Sequence, residues 1–369
     1  DSNSQTVQGL NSPHVIQNDP DMRNAANPGL RDHVCLDHRR TAKDRGKFDE
    51  LALSAGHRFT FELRLKTNAD AHDQQNWETL LGILDDPLIR LGGKTRRGFG
   101  GFKIVAIDRR EFDLSQTADR QAWLEQAQAR SQAATGIPNR CSDTSLGLNF
   151  SCQLNAESLW MIGGGVDEDA DASPLQATRI QWNAEEKGQI VDCYLIPGTS
   201  IKGALAHRIC FHANRLAQVF IDQIPPETIP TVTGPNNEVV RSLFGDVVDH
   251  DESKGKPGRI FIDDVYLPVA QYADHLLPPQ NHVAIDPFTG GAKDTALFQD
   301  RPLQGGTINV PIFLRGTWAE MESCEIIPGK SACAKAAFEA ALANLQQGTL
   351  AIGAFASRGY GTFNTHQTV

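Results

Sequence analysis

The sequence predicts an α+β fold assembled from two copies of one strand–helix plan, and three observations carry that prediction. The segment from His33 to Asp49, HVCLDHRRTAKDRGKFD, is echoed by HVAIDPFTGGAKDTALFQ from His282 to Gln299. Each echo is followed by a run of alternating apolar residues and then by a helix with one apolar stripe. Each helix leads into a glycine-rich basic turn: Arg97-Gly98-Phe99-Gly100 in one copy, Arg358-Gly359-Tyr360-Gly361 in the other, 261 residues apart. Unlike features that recur in one order mark an internal duplication, and a duplication sets the architecture.

Taken in order, residues 1–30 are rich in Asn, Asp, Ser and Gln and read as loop. In HRFTFELRLKT, Phe59, Phe61, Leu63 and Leu65 fall on one face and Thr60, Glu62, Arg64 and Lys66 on the other, the period of a half-buried strand. Its counterpart TINVPIFLRGT alternates Ile308, Val310, Ile312 and Leu314, with Pro311 pointing to an edge position or a bulge. Trp77, Leu80, Leu81 and Leu84, like Phe338, Ala341, Leu342 and Leu345, sit at helical spacing and predict two core-facing helices. A further helix around Arg120 to Arg130 links the copies. Leu146, Leu148, Phe150, Cys152 and Leu154 read as a strand, and LIPGTSIKGALAHRICFHANRLA as a helix capped by Thr199 or Ser200, with Ile201, Leu205, Ile209 and Leu216 inward. The second copy is therefore strand, helix, insertion, strand, helix, glycine turn, strand. Two such β-α-β halves build a ferredoxin-like sheet, the layout of RNA-recognition folds. The first copy begins at its second half. We expect residues 1–110 to be that C-terminal half, with about 100 upstream residues absent if the copies match in size. We expect 111–145 to be a linker and 146–369 a complete second module.

The 369 residues carry a net charge of −10, which excludes a polycation that grips nucleic acid by bulk attraction. Residues 31–110 nevertheless sum to +4 and the remainder to −14, with the positive charge at the glycine turns and the acids in loops. No run of about 18 apolar residues predicts a membrane span, and no charged-then-apolar start predicts a signal peptide. The first residues, DSNSQ, lack an initiator Met and are expected to belong to a processed or trimmed piece. Seven cysteines without a C-x-x-C pair suggest reduced thiols and a cytoplasmic setting.

LGGKT lacks the first glycine of a Walker A loop, since Leu stands at 88, and RGFGGF lacks the dinucleotide spacing. Glycines in such turns let backbone amides approach phosphates, with Lys94, Arg96, Arg97 and Arg358 supplying charge beside Gly98 and Gly359. The aromatic between the glycines, Phe99 or Tyr360, either stacks on a base or packs inward. IPGTSIKGALAHR offers a second candidate. Its helix start is an anion site, Ser200 and Lys202 lie in the first turn, and Gly203 leaves room for a close backbone; the plain alternative is an ordinary capped helix. In the third, IGGGVDEDADASP, Asp167, Glu168, Asp169 and Asp171 follow a strand. They form either a solvated turn or carboxylates beside a phosphate site, as attack on a phosphodiester requires. His33 and His282 recur with the repeat and read as structural or RNA-contacting.

Together these segments resemble one family. IPGTSIKGALAHR is similar to the I-P-G-S-S-[IL]-K-G-x-[LI]-R signature of CRISPR-associated RAMP subunits, and the glycine turns resemble their terminal loops. FGDVV, RIFIDDVYL and HVAIDPFTGGAKDTALF resemble the segments between. The similarity covers 146–369 and half a module in 31–110, and looks like a tandem, fused version of the type III backbone subunit. The resemblance implies tandem ferredoxin-like modules with inserted loops and a thumb-like hairpin. It implies binding of guide RNA and single-stranded target RNA among other effector subunits. Cleavage of the target would be divalent-metal-dependent, with Mg2+ or Mn2+ at a loop Asp and the 2′-hydroxyl as nucleophile. Asp171 fits the family position best, with Asp169 and Asp167 as fallbacks. Ser200, Lys202, Gly203, Arg208, Lys94, Arg96, Arg97, Gly98, Arg358, Gly359, Tyr360 and His282 are the RNA-binding residues it suggests. The sequence departs from the family in its acid cluster and in Thr199 for the first Ser.

Overall fold

The computed structural model describes residues 18–37, 41–68, 70–84, 86–125, 146–164, 170–246, 255–321 and 323–365. The chain is a mixed α/β protein of small antiparallel sheets, with its main core between residues 154 and 363. Gly147–Asn149 and Cys152–Ala156 form one broken strand, antiparallel to a second made of Thr307–Val310 and Ile312–Arg315. Ile260–Ile262 pairs beside the second and Phe363–Asn364 beside the first. Across the sheet the four therefore run Phe363–Asn364, 147–156, 307–315 and Ile260–Ile262, all antiparallel, which in chain order is fourth, first, third, second. Helices Gly198–Leu216 and Ala334–Gln346 bury Ile201, Leu205, Ile209, Phe338, Ala341 and Leu345 in one cluster with Leu154, Ile308, Val310, Ile312 and Leu314. His212 Nε2 and Asn344 Oδ1, 2.8 Å apart, tie the two helices together.

Three local expectations meet the structure here. Pro311 lies in a central strand rather than at an edge: it falls in the break, where Ile312 N–H donates to Ser151 Oγ (3.3 Å) and no ladder bond is required of residue 311. The leading helix starts at Gly198 behind Pro197 and uses neither Thr199 nor Ser200 as a side-chain cap. Its first amide is taken by Asp264, reaching across from the strand side. Leu216, the last residue of the predicted stripe, is exposed because the stripe ends one turn earlier.

A second sheet joins Gln176–Trp182, Gly188–Ile196 and Val265–Pro268. The first copy docks along its outer edge: Ala55 bridges parallel to Arg179, Ile180 N–H donates to the Ala55 carbonyl (2.8 Å) and Trp182 Nε1 to that of Gly56 (2.7 Å). A side chain at Gly56 would drive into the Ile180 carbonyl, so glycine is required for this close approach.

The first copy opens with a hairpin, Gly29–Leu36 against Ala42–Ala52, and the second copy has its equivalent, Gln280–Ile285 against Ala292–Asp300. The strand predicted over 57–67 does not form. No β-ladder among the described residues includes this segment, and Phe59, Phe61, Leu63 and Leu65 are at 74, 54, 42 and 44% exposure, while Ile308, Val310, Ile312 and Leu314 are at 0%. The physical reason is pairing: the second copy has strand 147–156 to close the ladder, whereas the start of 57–67 meets side chains instead, His57 lying against Asn24 and Arg58 over Trp182. The following helix, Ala71–Leu84, forms as expected but buries only Leu81. The linking helix spans Thr117–Glu125 with no buried residue; the rest of its predicted length lies outside the described residues. No helix among the described residues is long and apolar enough to cross a membrane.

Candidate functional site

The two glycine turns share one backbone geometry. Each begins with a residue held at positive φ, Lys94 (58°) or Phe355 (56°), continues as a one-turn helix, and exits through Gly98 (92°) or Gly359 (86°). Gly100 and Gly361 then close each turn by accepting from Leu91 N–H (2.9 Å) and Ile352 N–H (3.0 Å). A Cβ at either glycine would collide with the carbonyl of the residue it bonds, so the R-G-aromatic-G pattern is a folding requirement first.

Each turn is pinned to the root of its hairpin by the same trio. His33 stacks on Phe48 (5.1 Å) and His282 on Phe298 (4.8 Å). The ring nitrogens face a carboxylate two residues further on: His33 Nε2 lies 3.7 Å from Glu50, His282 Nε2 3.1 Å from Asp300. Arg97 lies over Phe48 (5.0 Å) and Arg358 over Phe298 (4.4 Å). Burial lowers the His33 pKa despite Glu50, so this imidazole is neutral at pH 7. The copies differ in charge. Glu50 pairs with both Lys94 (2.8 Å) and Arg97 (2.5 Å), whereas Arg358, exposed between Phe298 and Phe355 (4.6 Å), pairs with no carboxylate among the described residues. Tyr360 is buried with its hydroxyl 3.5 Å from Asp300, and Phe99 lies under Arg31 (4.9 Å). Tyr360 thus packs inward, while Phe99 is half-buried.

The first turn seats directly on the start of helix Gly198–Leu216. Gly198 N–H donates to Asp264 Oδ1 (2.8 Å); the same carboxylate pairs with Arg31, which also donates to Tyr266 Oη (2.7 Å). The helix start is therefore already capped by a protein carboxylate, and its first amide is not open to an external anion. Arg90 pairs with Asp263 and is almost wholly buried. Arg96 donates to the Gly258 carbonyl (2.5 Å) and Lys202 Nζ to that of Arg96 (2.7 Å). Arg90, Arg96 and Arg315 all address one buried ring, Phe261, at 5.6, 4.7 and 5.1 Å. Among the described residues, Arg96, Arg315 and Lys202 have no carboxylate within ion-pair reach. The Lys202 amine is pushed down to about 8, by burial first and then by Arg96 and Arg97. The three cations form one seam around the Phe261 ring and the start of the helix.

Gly203 is exposed, and a Cβ there would meet nothing, so no protein packing calls for glycine. Ser200 lies in the first turn, its amide bonded to the Pro197 carbonyl (3.0 Å). Arg208 donates to the Thr349 carbonyl (2.9 Å), bracing the helix against the segment that leads into the second turn. Asp171 is exposed and accepts from Gln299 N–H (2.9 Å), and Ala172 bridges parallel to Asp300, fixing the loop's end against the second hairpin's root. Asp167 and Asp169 lie outside the described residues. No group of three metal-binding side chains gathers among the described residues. Asp171 thus offers a single carboxylate, a donor set that suits an ion taking its remaining ligands from phosphate and water. Sequence reasoning missed Arg90, Asp264 and Arg315, which lie in unremarkable strands and turns. It also missed Phe288, 97% exposed at the tip of the second hairpin, on a turn where Asp286 Oδ1 accepts from Phe288 and Thr289 N–H (2.8 and 2.9 Å). The Asp-Pro-Phe-Thr-Gly-Gly string at that tip was the available signal.

Against known proteins, the family model described as RAMPs: RAMP superfamily matches residues 153–364, more than half of the chain. No curated protein matches.

Proposed function

Because the chain belongs to the RAMP superfamily, which makes it a CRISPR-associated RNA-binding subunit, we propose that it lays guide RNA along the cationic seam of a type III effector. The observation that carries this reading is the uncompensated seam. Among the described residues Arg96, Arg315 and Lys202 converge without carboxylates, and burial beside Arg96 and Arg97 pushes the Lys202 amine down to about 8, an arrangement that favours a phosphate. Arg358, held by two rings, is the second phosphate contact. The strand order of residues 146–364 is that of a ferredoxin-like module, and we read the first copy as half of another. The second hairpin is the thumb: a two-stranded ribbon whose exposed Phe288 inserts against a base of the guide–target duplex. Target cleavage belongs to Asp171, on the loop anchored at that hairpin's root. It accepts the proton of the target 2′-hydroxyl as that oxygen bonds to phosphorus and the 5′-oxygen departs, leaving a cyclic phosphate. A divalent ion bound by Asp171 would supply charge neutralisation at the phosphate.

The test is single-stranded RNA binding by the full chain and by an Arg96→Met, Arg315→Met protein, titrated over salt. The slope of log affinity against log salt should fall by about 0.7 for each phosphate contact removed. An unchanged slope removes the seam from the RNA path.

A further inference from the structure

The two glycine turns share a backbone but not a charge, and one pair of equivalent residues makes the difference. Glu50 and Asp300 each stand two residues beyond the phenylalanine of their hairpin. In the first copy the carboxylate reaches the turn: Glu50 Oε1 accepts from Lys94 Nζ (2.8 Å) and from Arg97 Nη1 (2.5 Å), with the glutamate side chain only 10% exposed. In the second copy the side chain is one methylene shorter. Asp300 is fully buried, with Oδ2 3.1 Å from His282 Nε2 and Oδ1 3.5 Å from the Tyr360 hydroxyl, and it forms no ion pair with Arg358. The residue that opens the turn differs as well. Where Lys94 stands in the first copy the second has Phe355, at the same positive φ, and its ring lies against Arg358 (4.6 Å). The first turn therefore has two cations and an internal anion, the second one cation on two rings. A carboxylate oxygen that takes Lys and Arg donors together uses the donor set that a phosphate oxygen uses. Burial raises the Glu50 carboxyl, but Lys94 and Arg97 more than offset it, so the group lies below its ordinary value and is ionised at pH 7. An RNA phosphate entering here has to displace an anion that is already seated. Lys94 and Arg97 are themselves 55 and 40% exposed, within reach of a ligand once that carboxylate withdraws.

We propose that Glu50 decides which glycine turn takes an RNA phosphate: its carboxylate fills the anion position of the first turn, and the phosphate goes to Arg358 in the second. This inference rests on RNA being the ligand, as in the reading above, but it concerns residues outside the seam of Arg96, Arg315 and Lys202.

The test is single-stranded RNA binding over salt by two variants of the full chain. Glu50→Asp keeps the net charge and shortens the side chain to that of the second copy; Glu50→Gln is isosteric and guards against a packing loss in the first variant. In both, log affinity against log salt should steepen by about 0.7 for each phosphate that the freed cations take. Affinity at low salt should rise about tenfold, the worth of one charged hydrogen bond. Arg97→Met should leave the wild-type slope unchanged and cancel the gain of Glu50→Asp. No steepening in either Glu50 variant overturns the proposal, and a lowered slope for Arg96→Met, Arg315→Met in the same series would show that the RNA reading survives it. Steepening in the Glu50 variants with an unchanged slope for the seam protein upholds the proposal and removes the seam from the RNA path. A fall of about 0.7 on Arg97→Met alone would also overturn it, since the first turn would then hold phosphate with Glu50 in place.

Discussion

Lys202 provides the sharpest test of the seam, because its charge depends on whether an anion is present. In the free chain, burial beside Arg96 and Arg97 sets its amine near 8, against an ordinary value of 10.5. An RNA phosphate in the seam restores the charged form. Binding is then coupled to proton uptake wherever the free amine has already lost its proton. Below pH 8 the free lysine is charged and affinity is flat with pH. Above 8 each pH unit weakens binding about tenfold, until the bound amine itself titrates. The full span, if the complex restores the ordinary value, is about 3 kcal/mol. The sign for stability is opposite. A depressed amine penalises the RNA-free fold below pH 8, and that penalty is relieved between 8 and 10.5. Fluorescence anisotropy with labelled oligoadenylate at constant ionic strength reads this directly, since adenine does not titrate in the range. Wild type should lose about tenfold in affinity between pH 7 and 9, and Lys202→Met should bind weakly with no pH dependence there. A wild-type profile as flat as that of Lys202→Met would refute the claim that phosphate meets this amine.

Asp171→Ala should leave guide affinity unchanged and abolish target cutting beside the second module, seen on a denaturing gel; undiminished cutting would move the assignment to Asp167 or Asp169. Gly361→Ala should cost about 1–3 kcal/mol in denaturant unfolding, because its Cβ meets the Ile352 carbonyl at φ 79°. Gly203→Ala should instead gain about 0.5–1 kcal/mol, with any loss of RNA affinity showing that the open space above it is used by ligand. Phe288→Ala should leave the melting temperature in place while weakening guide–target duplex binding by about 1–3 kcal/mol, the worth of one stacked base.

The duplication was legible because it is written in residues that the backbone cannot do without. Gly100 and Gly361 sit where a side chain would strike a carbonyl, and Phe48 and Phe298 fill the same slot beneath an arginine. The helix stripes of the second copy were legible for the usual reason, a core on one side only. What period-two alternation could not reveal is whether a strand has a neighbour. Phe59 to Leu65 and Ile308 to Leu314 carry the same pattern, and among the described residues only the second joins a β-ladder. The helix start was misread for a related reason. Asp264 lies 66 residues beyond Gly198, and no local pattern announces that its carboxylate occupies the anion position. The seam was half legible: Arg96 and Lys202 stand in motifs, but Arg315 and Arg90 reach the Phe261 ring only through the fold.

The register of the two hairpins has one more consequence. In the first, Cys35 alone spans what the return strand crosses with residues 43–46; in the second, Ala284 spans what residues 293–296 cross. Both excursions contain one residue at positive φ, Arg45 at 53° and Thr295 at 60°, and both coincide with the repeated Ala-Lys-Asp string. Such an excursion bends a ribbon and re-aims what lies beyond it. Below it, the His–Phe–carboxylate trio is locked into the protein; above it, Asp286, Phe288 and Gly290 answer only to the direction of the bend. The hairpin is therefore a gun mount, with a fixed base and a traverse set by four residues. Shortening that excursion by one residue would swing the barrel while leaving the breech closed.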